Sequence, residues 1–228
     1  MTSSFHSFYD TWFGQLKHLV QQLCSAPKPP TTQDHLRHLE QLVDKLLSHY
    51  SEYYRVKSTA AEHDVLEIFA APWASSLERS LHWIGGWRPT TVFHLVYTES
   101  SILFESHIID ILRGLKTGDL GDLSPNQFRR VSELQCETVK EENAITDELS
   151  EWQSSVSELV GASCTDVDQM IGRLVIVLRK ADELRLKTLR RVVELLTPQQ
   201  AVEFLIAAAE LQFGVHSWGV NLDRQRNA

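Results

Sequence analysis

The stretch WASSLERSLHWIGGWRPTTVFHLVY, from Trp73 to Tyr97, decides how the rest of the chain is read. It predicts a short helix, a hard stop and a second helix. Ser75 is a candidate N-cap, and Glu78 three residues later completes a capping box that satisfies two orphan backbone donors. Leu77, Leu81 and Ile84 follow at helical spacing, with Trp83 beside them. Gly85 and Gly86 end that helix, because a left-handed C-terminal residue costs least without a Cβ. Arg88-Pro89 cannot continue the first helix but can open the next. Trp73, Trp83 and Trp87 would each bury about 150–250 Å², so this corner is expected to anchor the surrounding helices.

Upstream, Phe5, Phe8, Tyr9, Trp12, Phe13, Leu16, Leu19, Val20 and Leu23 step by three or four residues, the pattern of an amphipathic helix with an aromatic stripe. Such a stripe is either core or a partner-binding face, since Tyr and Trp are favoured interface anchors. SAPKPPTT, at 25–32, breaks the helix. The periodicity resumes near Gln33 and runs through Leu39, Leu46, Tyr50 and Tyr54, then less cleanly to Pro72. That predicts one long helix bent near 57–61.

Downstream, Val92, Phe93, Val96, Tyr97, Leu103, Ile108, Ile109 and Leu112 mark the next helix, and Gly114, Gly118 and Gly121 a polar loop without a phosphate-cradling motif. LSPNQ at 123–127 and LTPQQ at 196–200 each place a hydroxyl N-cap before an N1 proline. The helix after Pro125 carries Phe128, Val131, Leu134, Ile145, Leu149, Trp152, Val156 and Leu159. Its acidic side (Glu137, Glu141, Glu142, Asp147, Glu148, Glu151) reads as a solvated face. GASCTD, at 161–166, reads as a turn. The following helix, about 166–196, bears Arg173, Arg179, Lys180, Arg185, Lys187, Arg190 and Arg191 among leucines and valines. Basic amphipathic helices bind anionic targets or pair with an acidic neighbour, and the preceding acidic helix makes pairing the favoured reading. A last helix runs from Pro198 to Trp218, with a polar, frayed tail over about 220–228. No segment alternates as a strand does, so the fold class is all-α: a single-domain bundle of long amphipathic helices over 1–228, with a Trp-rich helix–turn–helix corner.

The 228 residues carry 30 acidic against 22 basic side chains, a formal charge of −8, which argues against broad attraction to nucleic acid or anionic membrane. Cys24, Cys136 and Cys164 are far apart and lack zinc or redox spacing, which implies reduced thiols in a cytosolic or nuclear protein. The N-terminus has no secretory pattern, and no apolar run is long enough to span a bilayer. His35 and His38 lie three apart without H-E-x-x-H or a well-spaced carboxylate, so no metal site is assigned. No nucleophile elbow or catalytic cysteine context occurs, and no catalytic residue is assigned. His216, flanked by Phe213, Val215 and Trp218, is the one histidine whose apolar setting suits a haem iron.

LERSLHWIGGWRPTTVFHLVY resembles the signature of the plant Delay of Germination family, a domain also found in the C-terminal half of TGA-type bZIP transcription factors. FYDTW at 8–12, HYSEYYRVKSTAAEHDV at 49–65, LSPNQ, KADELRLKTLRRVVELLTPQQAVEFLIAAAEL at 180–211 and VHSWG at 215–219 support the resemblance in order along nearly the whole chain. It implies a non-enzymatic, nuclear and cytoplasmic regulator of seed dormancy and abscisic-acid signalling. It also implies binding to type 2C protein phosphatases through Ser7–Trp12, with Phe8, Tyr9 and Trp12 as contact residues and Ser7 where the family's founding member has an acid. The family's haem site uses two histidines four residues apart. Here His216 fills the second position and Gln212 the first, so the implied site rests on His216 alone and is weaker or absent. No basic region or leucine zipper precedes the domain, so direct DNA binding is not expected. From the TGA side, the resemblance implies co-regulator and self-association contacts and a fatty acyl ligand in an apolar cavity.

Overall fold

The computed structural model describes residues 4–155, 157 and 164–226, and among them the secondary structure is entirely helical. The aromatic stripe forms α1 (Ser4–Ser25). Thr32 accepts a hydrogen bond from the His35 amide and starts α2 (Gln33–His63). The expected bend in this helix is instead a break at Asp64. The Asp64 carboxylate caps a separate short helix, α3 (Val65–Ala70), which ends on Ala71 in the left-handed region. A carboxylate that satisfies new backbone donors costs less than carrying the helix through it.

The Ser75–Glu78 capping box is present and opens α4 (Ser76–Ser80), which stops four residues before Ile84. Leu81, expected on the apolar face, is exposed, and Ile84 sits at φ 47° beside Gly85 at φ 67°. A β-branched residue in that region costs about 1–3 kcal/mol, so tertiary contacts must hold it there. α5 (Thr91–Leu112) leads through a 3-10 turn (Leu120–Asp122) to α6 (Pro125–Ser154). Ser124 and Gln127 form the second capping box of the chain. α7 (Cys164–Leu195) begins inside the segment expected to turn, while Val156 and Leu159 lie outside the described residues. α8 (Pro198–Arg226) continues through the tail expected to fray. Its last turns are held because Asp223 accepts from the Ser76 amide (2.9 Å) and the Ser76 hydroxyl.

α1 and α2 run in opposite directions, as do α6 and α7 and also α2 and α7. Their inner faces meet in one contiguous apolar core, to which α1 contributes Phe5, Tyr9, Trp12, Phe13, Leu16, Val20 and Leu23. At about 1.5–3 kcal/mol for each buried large side chain, this stripe outweighs any surface pairing in fixing α1. The acidic and basic helices do pair: Lys180 reaches Glu148 and Lys187 reaches Glu141, both at 2.7 Å. The solvated-face reading fails at Glu142, which is fully buried.

Candidate functional site

The Trp-rich corner reaches every neighbouring long helix. Trp73 packs edge-on against Phe5 of α1, with ring centroids 4.6 Å apart. Trp83 Nε1 donates to Thr146 of α6 (3.0 Å), and Trp87 Nε1 donates to the Tyr54 hydroxyl of α2 (2.9 Å). Glu142 of α6 accepts from Arg88 (2.8 Å) and from the Thr90 amide (2.6 Å), so a buried carboxylate sits at the start of α5, where the helix dipole favours negative charge. At the far end Gly219 of α8 lies against Ser75. A Cβ there would run into the Ser75 side chain and stand 3.1 Å from Leu77 Cβ, so only glycine lets α8 approach this cap.

Beneath the corner lies an ionic centre that periodicity did not reveal. Lys57 of α2 and Asp182 and Arg185 of α7 are all buried. Lys57 Nζ donates to Asp182 Oδ1 (2.9 Å) and to the Gly85 carbonyl (2.8 Å). Arg185 donates to Asp182, to the Trp87 carbonyl (2.7 Å), to the Ile84 carbonyl (2.9 Å) and to the Trp83 carbonyl. Its guanidinium also lies 5.3 Å from the centre of the Trp83 ring. The loop from Trp83 to Trp87 thus turns its carbonyls inward around two cations that share one carboxylate. This arrangement holds Ile84 in its left-handed conformation. Burial, partly offset by Asp182, lowers Lys57 from its ordinary value to about 8. Burial, reinforced by the charges of Lys57 and Arg185, lowers His82 to about 4 and keeps it neutral. A signal did exist in the sequence. Lys57 lies on the apolar row Tyr50–Tyr54–Ala61, and Asp182 and Arg185 are three apart among leucines. A charge inside an apolar stripe marks a paired, buried group.

The residues expected to meet a partner lie largely inside. Tyr9 and Trp12 are buried and Phe8 is half-buried at the core edge, whereas Ser7, Asp10 and Thr11 form the outer face of the same turns. Trp12 Nε1 donates to the His49 carbonyl (3.0 Å) while the two rings stack at 5.0 Å. His49 Nε2 stands 3.0 Å from the Trp12 carbonyl, which can only accept, so that nitrogen carries the proton. Burial lowers the pKa of this histidine.

His216 and Gln212 occupy adjacent turns of α8 but do not act as a pair. Gln212 Oε1 accepts from the Tyr50 hydroxyl (3.3 Å), and His216 Nδ1 sits 3.1 Å from Glu78 with its ring 4.7 Å from Phe13. With Nδ1 facing Glu78, His216 keeps Nε2 as the nitrogen that could meet an iron, while Gln212, engaged by Tyr50, supplies no second imidazole. The Tyr9 and Tyr50 phenols above them are pushed well up from their ordinary value, chiefly by burial, and stay neutral.

The chain's relatives give this arrangement its family. A family model described as seed dormancy control, DOG1, matches residues 15–98. Protein DOG1-like 4 of Arabidopsis thaliana is 32% identical over 232 residues, which cover 94% of this chain and 91% of that protein. Protein RESPONSE TO ABA AND SALT 1, also of Arabidopsis thaliana, is 28% identical over 92% of each chain. Transcription factor TGA2.3 of Oryza sativa subsp. japonica is 26% identical over 91% of this chain, a match that covers 61% of the rice protein. The bundle assembled around the tryptophan corner is thus shared with regulatory proteins over nearly its whole length, and the chain belongs to the DOG1-like family, whose domain TGA-type transcription factors also carry.

Proposed function

We propose that this protein is a non-enzymatic regulator of the seed dormancy and abscisic-acid response type, acting by binding other proteins. The observation that carries this reading is end-to-end similarity to DOG1-like proteins, combined with a corner whose polar groups are spent on holding helices together. The four carbonyls, two cations and two carboxylates there all have partners within the chain.

The implied partner is a type 2C protein phosphatase. With Tyr9 and Trp12 buried, contact would use Ser7, Asp10 and Thr11 together with the exposed edge of Phe8, while the two buried rings hold that face in place. The test is calorimetric titration of a type 2C phosphatase with the wild-type protein and with the Asp10→Arg/Thr11→Arg variant. A large loss of affinity at unchanged melting temperature is expected. Unchanged affinity in the variant removes this docking face. No heat with the wild-type protein removes the phosphatase.

A second reading, as a transcriptional co-regulator in the nucleus, is favoured by the match to TGA2.3. Affinity purification from seed extract, followed by mass spectrometry, separates the two. Recovery of bZIP factors without phosphatases would establish the second.

A further inference from the structure

The second half of α5, the 3-10 turn and the first turn of α6 border a groove of about 380 Å³, a volume within the range of small-molecule sites. Gly121 is one of its lining residues. A Cβ there would stand 2.7 Å from the Phe104 backbone nitrogen, so only glycine lets the 3-10 turn meet α5. Phe104 (41% exposed) and Phe128 (38%) give the groove its apolar walls. Among the described residues, no lysine or arginine lies over either ring.

The polar lining has one sign. Glu105 and Asp122 both line the groove, and among the described residues no lysine, arginine or histidine does. Neither carboxylate is in an ion pair among those residues, and that of Asp122 accepts only the Gly118 amide, at 3.4 Å. Ser100 lines the same groove and is 3% exposed, yet its hydroxyl has no hydrogen-bond partner among the described residues. A helical serine can bond back to the carbonyl four residues earlier, as Ser51 does to Leu47, and Ser100 does not. A buried hydroxyl without a partner is costly unless a ligand meets it. The N-terminus of α6 borders the groove and by itself would favour an anion. Pro125 has no N–H, however, and the Ser124 hydroxyl takes that of Gln127, so the two carboxylates set the sign. The chain's formal charge of −8 pulls the same way.

A primary ammonium carries three donors and no acceptor. Glu105, Asp122 and Ser100 supply acceptors for all three, and the rings of Phe104 and Phe128 suit both a cation and an apolar body. We propose that this groove binds a small organic cation, an ammonium head on an apolar body. A fatty acid, whose head is a carboxylate, would meet two like charges there. The groove is built by α5 and α6 and not by α1, so it is independent of the docking face proposed above.

Amide chemical-shift titration of the full chain at neutral pH with 2-phenylethylamine tests it. Binding with a Kd of about 1 mM or tighter is expected, with shifts centred on the 100–105 and 121–128 stretches. The neutral analogue of the same shape, 2-phenylethanol, should bind roughly 10-fold more weakly or worse, and 3-phenylpropanoate not measurably. Glu105→Gln/Asp122→Asn should erase the preference for amine over alcohol. Both replacements keep an oxygen acceptor, so the Gly118 amide stays bonded and the melting temperature should hold. Phe104→Leu keeps an apolar wall without the ring; it should weaken the amine by roughly three-fold and leave the alcohol unchanged. A second probe, N-acetyl-lysinamide, carries the same head on a side-chain stem. Tighter binding than 2-phenylethylamine would support the site and assign its natural occupant to a lysine of a partner protein. No shift with either probe up to roughly ten times the expected Kd overturns the proposal. So do equal affinities for amine and alcohol, or a preference for the amine that survives Glu105→Gln/Asp122→Asn.

Discussion

The tryptophan corner and the second half of α5 are separated by a few helical turns and are both rich in large apolar residues, yet they end in opposite environments. At the corner, Trp73, Ile84, Val92 and Phe93 are at most 8% exposed, and the polar backbone between them is satisfied by Lys57, Arg185 and Glu142 from other helices. In α5 beyond Ser100, Ile109 and Leu112 remain more than 60% exposed. Apolar content is similar, but several helices converge on the corner and leave Leu81 exposed there, whereas the second half of α5 is covered on one side. Burial is decided by which elements converge, and convergence at the corner depends on charges placed inside the core.

The strongest way to break this contrast is to remove the shared carboxylate. Asp182→Ala leaves two buried cations without a counter-ion and is expected to cost about 3–5 kcal/mol, read from urea unfolding. A loss below 1 kcal/mol would mean that the carbonyls alone hold Lys57 and Arg185. Next is Gly219→Ala, where the added methyl meets Ser75 and must push α8 off the corner. A loss of about 1–3 kcal/mol is expected, with the α4 end of the bundle losing amide-exchange protection first.

The pH dependence sharpens the same point. Lys57 titrates near 8 in the folded chain and near its ordinary 10.5 when unfolded. Between those values the unfolded chain holds the extra proton, so this site makes stability rise with pH; below about pH 8 its penalty is present in full. The Tyr9, Tyr50, Tyr53 and Tyr54 phenols are raised by burial and act the other way above about pH 10. Urea midpoints are therefore expected to climb from pH 8 to 10 and then fall. Lys57→Met should abolish the climb, and a climb that survives it would assign the effect elsewhere. The smallest effect belongs to the outer helix surface. Lys187→Ala removes an ion pair half open to water and should change stability by no more than about 0.5 kcal/mol. A change above 1 kcal/mol would show that the α6–α7 pairing rests on charge.

Much of the fold was legible because helices announce their starts chemically. Ser75 with Glu78 forms the capping box its spacing implied, and Ser124 and Thr197 cap ahead of their prolines as expected, each also bonded to the glutamine three residues on. The α1 stripe was legible as well, and its choice between core and partner face resolved towards core for Tyr9 and Trp12. The early stop of α4 was not legible, since nothing local distinguishes a helical Ile84 from a left-handed one. The cause is Arg185, a hundred residues away, taking the carbonyls of that loop. Glu142 was misplaced for the same reason: an acidic run looks uniform until one member finds an N-terminus to cap. The contact of His216 with Glu78 was not legible either, because the two residues stand 138 apart in the chain.

By itself the sequence determined the all-α class, the helix starts and the position of the corner, because propensity, capping and 3.6-residue periodicity are local interactions that each segment carries with it. Only the tertiary structure decided which charges go inside, which apolar residues stay out and which carboxylate His216 meets. Those outcomes turn on desolvation and on partners brought in from distant helices, and neither is a property of any one segment.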